Sequence, residues 1–339
     1  MPGGYQFFDV HPEQCPALGG PSNPGCPFTS NTSLVANGLA PLSTRGDFAD
    51  MVEALAGLGV LPYNVGMGSQ FSEFTYYTNK GFSSYNGFLV TLHKNQGHGV
   101  QFDLNYTWSH SIDNTSVGAN TPALGGYGFI CDVLRPRLCR GNSDFDVTNT
   151  LTGNFIWELP VGRGRAFGAN MPFWANEAVG GWSISGLPSW RTGNAFNVQS
   201  NAFVAGYAND APGILVGPKA LLDTHIHKGE DGLLVLYKDT SAAAGAFVGP
   251  TGFQIGQRND FRGPRYFDVD LGLGKTFPIW EDKVNLKFRA DAFNATNHPN
   301  FSAPGTSNND ITEANGAFGV LTSMNGGARV LQLALRLEF

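Results

Sequence analysis

Long stretches of the chain alternate between apolar and polar residues with a period of two. The alternation is unbroken from Val100 to Trp108, and it recurs over residues 267–277, 284–292 and 329–339. Successive side chains of a β-strand point to opposite faces of the sheet, so this pattern predicts strands with one apolar and one polar face. Three less regular stretches bring the predicted number to seven strands, and these are residues 85–94, 145–159 and 182–196.

The predicted connections between these strands alternate in length. The short or moderate connections are residues 95–99, 161–180 and 278–282, and the long ones are residues 111–144, 198–262 and 295–327. Outer-membrane β-barrels have this layout, with short periplasmic turns and long extracellular loops. We therefore predict an all-β fold, an antiparallel up-and-down transmembrane β-barrel. This chain would be a C-terminal fragment of it, with about seven strands forming a curved open sheet.

A soluble β-sandwich is the alternative fold, because it also contains strands with one apolar face. Its turns would be evenly spaced, and its apolar faces would be buried between two sheets. The composition favours the membrane barrel, since charged residues make up 14% of the chain compared with about 25% in soluble domains. A membrane helix is excluded, because the longest apolar run covers residues 54–61 and a spanning helix needs roughly 20 apolar residues.

The charge and the cysteine content limit the possible partners and chemistry. The formal net charge is −6 and no Lys/Arg cluster is present, which argues against a nucleic-acid partner, because such proteins need a basic face. The four cysteines fall into two close pairs without a CxxC motif, Cys15 with Cys26 and Cys131 with Cys139. Local disulfides in an oxidising compartment fit this spacing, and four unpaired thiols are the alternative.

Several stretches together resemble one family of membrane proteins. Residues 83–94 (SSYNGFLVTLHK) and 99–114 (GVQFDLNYTWSHSIDN) resemble the barrel of Oar-like TonB-dependent outer-membrane transporters. Five more stretches, in the same order along the chain, are similar to this family, and they are residues 151–164, 180–186, 191–198, 288–301 and 329–339. The family often carries a carboxypeptidase-regulatory-like N-terminal domain. The resemblance covers about residues 70–339.

The resemblance implies a receptor barrel that takes up a scarce solute. The expected organisation is an extracellular loop region over residues 1–82, with a short helix near residues 47–57, followed by the C-terminal part of the barrel over residues 83–339. A complete member has about 22 strands, which do not fit into this chain at about ten residues per strand. The plug, the TonB box and the signal peptide are therefore expected to lie outside it. The implied partners are outer-membrane lipid, the barrel-assembly machinery, the TonB system through the missing N-terminal part, and an unknown solute.

Candidate functional residues are few. No catalytic motif, cofactor site or metal site is evident, and the pair His225 and His227 is interpreted as part of a solvated loop. The polar faces of the strands carry charges that are expected to point into the barrel lumen, and these are Asp268, Asp270, Lys287, Arg289 and Arg336. The alternative functions are a structural or adhesive barrel without transport activity, and an outer-membrane enzyme, for which no catalytic constellation is found.

The last residue, Phe339, gives the first testable prediction. The final strand ends on this aromatic residue and has an apolar residue at every second position before it, a pattern that resembles the signal read by the barrel-assembly machinery. We predict that Phe339→Asp reduces insertion of the complete protein into the outer membrane, whereas Phe339→Tyr does not. The measurement is the amount of heat-modifiable protein in outer-membrane fractions. Equal insertion of both variants would contradict the prediction.

Overall fold

The computed structural model describes most of the chain from residue 77 onward. The described ranges are residues 77–116, 130–132, 134–200, 211–222, 224–229, 231–251, 254–280, 284–305, 307–312 and 317–339, with Leu39, Leu42 and Met51 as isolated residues. Met51 is helical, but the rest of the helix predicted near residues 47–57 lies outside the described residues. Cys15 and Cys26 also lie outside them.

The main sheet contains seven long strands, as the sequence pattern predicted. They are β1 (Ser83–Gly97), β2 (Val100–Asp113), β3 (Asn149–Glu158), β4 (Trp182–Arg191), β5 (Tyr266–Trp280), β6 (Val284–Phe293) and β7 (Val330–Glu338). Each strand pairs antiparallel with the next one along the chain, and β1 and β7 are the two edges of the described sheet. The short and long connections alternate along it, so the described sheet has the topology of an up-and-down barrel fragment.

The register keeps all apolar stripes on one face of the sheet. Leu273 lies opposite Ile184 on one side and Ala290 on the other, and Ala290 lies opposite Leu333. No described residue covers this face at the last strand, where Leu331, Leu333 and Leu335 are 70%, 75% and 70% exposed. The alternative sandwich fold required a second sheet over these leucines, so it is wrong. An uncovered apolar face is typical of a barrel wall that covers hydrocarbon.

The hydrophobic core lies in the long connections instead of against the sheet. The main buried cluster combines apolar residues of the β4–β5 connection, between Phe196 and Phe261, with Phe318 and Leu321 of the β6–β7 connection. We call the described residues of the three long connections, which lie within 114–148, 192–265 and 294–329, the cap. The pattern of alternating residues did not indicate that the described residues of these connections bury apolar side chains of their own.

The cap contains short strands and helices. Its two-residue strands are Gly141–Asn142, which pairs with the end of β2, and four pairs: Ala195–Phe196 with Phe261–Arg262, Gln199–Ser200 with Ala211–Pro212, Ile214–Leu215 with Phe247–Val248, and His227–Lys228 with Leu234–Val235. The α-helices are α1 (Phe173–Val179), in the β3–β4 connection, and α2 (Thr240–Gly245), in the cap. The 3₁₀ helices are Pro136–Cys139, Lys219–Leu221 and Ser307–Asn309. Among the described residues, none of these helices has the length and apolar character that crossing a bilayer requires.

Two strands are shorter than the alternation predicted. β3 begins at Asn149 instead of residue 145, because Asp146 forms a turn in which its backbone N–H donates to the carbonyl oxygen of Ser143 (2.9 Å). β4 ends at Arg191 instead of residue 196, because Ala195–Phe196 leaves the main sheet and pairs within the cap. The pattern of apolar residues continues through both breaks, so it could not locate them.

We call the seven-stranded main sheet the wall. The two faces of its last strand, β7, provide a matched test of which face contacts lipid. Leu333 lies in the middle of the apolar stripe, and its neighbour Gln332 lies on the polar face. Leu333→Arg should lower the free energy of unfolding in lipid vesicles by about 2–4 kcal/mol, the cost of an arginine in contact with the bilayer midplane, whereas lumen-facing substitutions are tolerated. Gln332→Arg should therefore leave it nearly unchanged. Urea unfolding measures both values, and an equal loss would contradict the assignment of faces.

Candidate functional site

Charged side chains on the polar face of the last strands are paired with one another. Lys287 lies directly opposite Arg336, and both contact Glu338, with an Nζ–Oε2 distance of 2.7 Å for Lys287 and an Nε–Oε1 distance of 3.4 Å for Arg336. Arg289 Nε donates to both carboxylate oxygens of Asp291 (2.9 and 2.8 Å). The polar wall here therefore carries closely compensated charges.

Asp268 and Asp270 lie on the same face of the sheet, but near the end that carries the cap, which we call the outer end. Asp270 Oδ1 accepts a hydrogen bond from the backbone N–H of Asn294 (2.9 Å), at the start of the β6–β7 connection. Asp268 Oδ2 accepts a long one from the Tyr266 hydroxyl (3.5 Å). Asp270 therefore fixes the base of a long connection on the sheet.

A buried arginine joins the cap to the wall. The Arg258 guanidinium, from the β4–β5 connection, donates to the carboxylate and the carbonyl oxygen of Asp113, the last residue of β2. It also donates to Ser116 Oγ (2.7 Å) and to the carbonyl oxygen of Cys139 (3.4 Å). Asp144 is a second carboxylate, 3.8 Å from Arg258 Nη2. Arg258, Asp113 and Asp144 are all buried, so this network is largely shielded from water.

Two further residues of the same segment extend this network. Asn259 has a φ of 56°, in the left-handed region that asparagine tolerates better than most residues. Its amide group donates to the Asn142 carbonyl oxygen (2.7 Å) and to Asp144 Oδ1 (2.6 Å). Arg262 pairs with the Asp146 carboxylate and donates to the carbonyl oxygen of that residue (2.6 Å). We call residues 258–262 with their partners in residues 113–146 the arginine junction.

Gly141 shows how closely the two connections approach at the arginine junction. A Cβ atom at this position would lie 2.5 Å from the Arg258 carbonyl oxygen, so only glycine allows the contact. The same two segments are therefore held together by charge pairs and by close backbone packing.

A disulfide joins Cys131 to Cys139 beside the arginine junction, with a Cα–Cα distance of 5.6 Å. Inside the loop that it closes, the Asp132 carboxylate accepts hydrogen bonds from the backbone N–H groups of Leu134 (2.9 Å) and Arg135 (2.8 Å). These bonds, with the nearby Arg135 guanidinium, hold the pKa of the Asp132 carboxyl below its usual range. The loop presents exposed leucine and arginine side chains, namely Leu134, Arg135, Arg137 and Leu138.

A cleft of about 430 Å³ opens where the cap meets the outer ends of β4 and β5. This volume lies within the range of small-molecule sites, roughly 300–1,000 Å³. On the wall side the Arg191 guanidinium lies over the Tyr266 ring, 5.1 Å from its centroid. The Arg191 guanidinium makes no hydrogen bond or ion pair with the described part of the chain. The cap side contributes Asp144, Phe301, the small residues 302–305, and the polar residues Ser323 and Asn325.

The interior of the cap rests on aromatic packing. Tyr237 is fully buried and stacks on Phe318 with ring centroids 5.2 Å apart. This burial raises the pKa of the Tyr237 hydroxyl. Phe261 contacts both Phe196 and Phe247, with centroids 5.9 and 5.5 Å apart. These contacts join the two ends of the β4–β5 connection to each other, and to the β6–β7 connection.

The histidine pair in the cap does not form a metal centre with its described neighbours. His227 belongs to the short strand His227–Lys228, and its ring Nε2 is buried without a hydrogen-bond partner. Within the described ranges, no three His, Cys, Asp or Glu side chains converge in a way that could hold a metal ion.

Sequence reasoning missed both the arginine junction and the cleft. A signal for the junction was present in residues 141–146 (GNSDFD) and 257–264 (QRNDFRGP), which concentrate aspartate, asparagine and arginine in otherwise sparsely charged connections. Nothing in the sequence indicated that these two segments, more than one hundred residues apart, pair with each other. Residues of both segments line the cleft, so the sequence could not predict the cleft either.

The comparisons with known proteins agree with this architecture. A family model described as an outer membrane beta barrel domain matches residues 34–332. The matched span contains β1 to β6, the start of β7, the arginine junction and the cleft. A search of the curated proteins gave no match.

The arginine junction yields a stability prediction with an internal control. Arg258→Met leaves two buried carboxylates without their cation, and breaking a buried pair in this way costs about 3–5 kcal/mol. Arg135→Met removes an exposed ion pair with Asp132, which contributes about 0–1 kcal/mol. Urea unfolding followed by near-ultraviolet circular dichroism, which reports on the buried aromatic residues of the cap, compares the two variants. Similar losses would show that Arg258 does not hold the cap.

Proposed function

The chain belongs to the outer membrane β-barrel domain family, and from this premise we propose that it forms part of a TonB-dependent receptor that imports a solute. Its location in the outer membrane follows from the family. The apolar face of the sheet would contact lipid, and the polar face, with Asp268, Asp270, Lys287, Arg289 and Arg336, would line the lumen. The resemblance to Oar-like transporters supports the transport role.

The observation that carries the proposal is the folded cap and the cleft at its base. A barrel that only fills the membrane needs no ordered layer of this size above its wall. Here the β4–β5 and β6–β7 connections share one hydrophobic cluster, and Arg258 fixes the β4–β5 connection to the end of β2. The cleft lies between this layer and the polar face of the wall, on the route that a solute would take from outside into the lumen.

The side chains of the cleft suggest the kind of solute. Arg191 offers a guanidinium that forms no ion pair with a described carboxylate, and the Tyr266 ring offers a flat apolar surface beside it. A guanidinium binds carboxylate and phosphate groups with paired hydrogen bonds. We propose that the cleft receives a small solute that carries a negative charge.

A second candidate function is surface adhesion, and one observation favours it. The disulfide-closed segment between Cys131 and Cys139 presents Leu134, which is 84% exposed, together with Arg137 and Leu138. Such a segment offers an apolar and basic surface to another cell or protein. In that case the cap would serve to hold this segment, and the barrel would transport nothing.

Uptake by cells that express the complete protein distinguishes the two functions. Cells receive a defined mixture of organic acids, acidic sugars and phosphorylated metabolites, and mass spectrometry follows their loss from the medium. We predict that at least one component is taken up only when both the protein and a working TonB system are present. The adhesive alternative predicts cell attachment that depends on the protein but not on TonB, with no uptake from the mixture.

Arg191→Ala tests the role of the cleft in the same cells. Hydrogen bonds to a charged group contribute about 1.5–3 kcal/mol, so the solute concentration that gives half-maximal uptake should rise about tenfold or more. Arg137→Ala, an exposed arginine of the disulfide-closed segment, is the control and should leave uptake unchanged. Normal uptake by Arg191→Ala would show that the solute does not bind in the cleft during uptake.

A further inference from the structure

The β3–β4 connection contains a helix with an unusual distribution of side chains. This connection lies at the opposite end of the wall from the cap. In α1 the large side chains that point away from the protein are apolar, since Phe173 is 67%, Trp174 is 75% and Val179 is 50% exposed. The polar residues Asn176 and Glu177 are instead partly buried. A helix in water places its residues the other way round, so the exposed side of α1 is suited to an apolar medium.

The C-terminal turn of α1 is attached to the apolar face of the sheet. The Trp182 indole Nε1–H donates to the carbonyl oxygen of Ala178 (3.0 Å). The Lys275 ammonium donates to the carbonyl oxygens of Asn176 (3.4 Å) and Glu177. Lys275 lies opposite Trp182 on β4 and Phe288 on β6, which are both on the apolar face. The helix therefore lies on the side of the wall that covers hydrocarbon.

Lys275 is a charged residue at an apolar position, and α1 accounts for it. Its side chain is buried, which would be costly for an unpaired charge. The free carbonyl groups at a helix C-terminus carry partial negative charge and accept hydrogen bonds from cations. The Lys275 ammonium also lies 4.7 Å from the ring centroid of Phe277 and 5.6 Å from that of Trp182. Lys275 is therefore a positioning residue that holds α1 against the wall.

A basic residue lies beside the helix. The backbone N–H of Arg163 donates to Asn176 Oδ1 (2.8 Å), which fixes this part of the turn next to α1. The Arg163 side chain is exposed, and its guanidinium has no partner among the described residues. An exposed cation next to exposed aromatic side chains matches the membrane interface, where phosphate groups lie above the acyl chains.

We propose that α1 is a lipid-binding helix, whose Phe173 and Trp174 insert among phospholipids at the periplasmic interface while Arg163 faces their phosphate groups. The partner is a phospholipid and not a protein, because the exposed side of α1 continues the apolar face of the wall and carries a cation at its edge. This role goes beyond solute uptake, and it would hold for an adhesive barrel as well.

Photocrosslinking in living cells identifies what contacts the helix. The complete protein carries benzoylphenylalanine in place of Phe173 or Trp174 and, as a control, in place of Thr276, which follows Lys275 on the opposite face. After irradiation, mass spectrometry of the purified protein detects covalent adducts. We expect phospholipid adducts at residues 173 and 174 and none at residue 276. Protein adducts or no adducts at the two helix positions would overturn the proposal.

A second pair of variants tests Lys275 as the residue that positions the helix. With benzoylphenylalanine at residue 174, Lys275→Met should remove most of the lipid adduct, because α1 loses its anchor on the wall. Lys287→Met, on the polar face, should retain it. Heat-modifiable mobility verifies that each variant is folded. Undiminished adducts in folded Lys275→Met would overturn the positioning role. If this variant does not fold, the adducts formed by the protein with an intact Lys275 still decide whether α1 contacts lipid.

Discussion

The structure depends on the pairing of backbone groups between neighbouring strands. A sheet with an uncovered apolar face has no second layer to pack against, and in hydrocarbon each unpaired N–H or C=O group costs several kcal/mol. The antiparallel ladders from β1 to β7 satisfy these groups strand by strand. Side chains on the wall then only need to suit the medium that they face, which explains the strict alternation of apolar and polar positions.

The placement of the hydrophobic core follows from that constraint. Because the apolar face of the wall remains uncovered, the described residues form their main buried cluster in the cap. A cap with its own core would be free to move on the wall unless something fixed it. Arg258 provides this connection, because it joins the β4–β5 connection to the end of β2 through buried, charge-assisted hydrogen bonds. Such bonds are directional, so they fix orientation as well as contact.

The parts of the fold with a strictly local signal could be predicted from the sequence. The number of strands, their faces and the alternation of connection lengths follow from residues two apart, and the structure has all three. The cap could not be predicted, since Phe196, Phe261 and Phe318 are widely separated and follow no period. The role of Lys275 could not be predicted either. In the sequence it is only a charged residue within an apolar stripe, and its role follows from its hydrogen bonds to the carbonyl groups of α1. Contacts between distant segments determined the cap, the arginine junction and the role of Lys275, so a local pattern could not reveal them.

The two ends of the wall have different roles in the proposed receptor: one would contact the membrane interface, and the other would bind the solute. At the inner end, α1 places aromatic groups outside the wall, where they would limit the vertical movement of the sheet. At the outer end, the cleft belongs to both layers, with Arg191 and Tyr266 from the wall and residues 301–305 from the cap. A solute bound there would contact both layers, so its binding energy would depend on their separation. A change in that separation would in turn change the affinity, because binding and conformation are coupled reciprocally. In such a receptor, the arginine junction would set the distance between cap and wall before the solute binds.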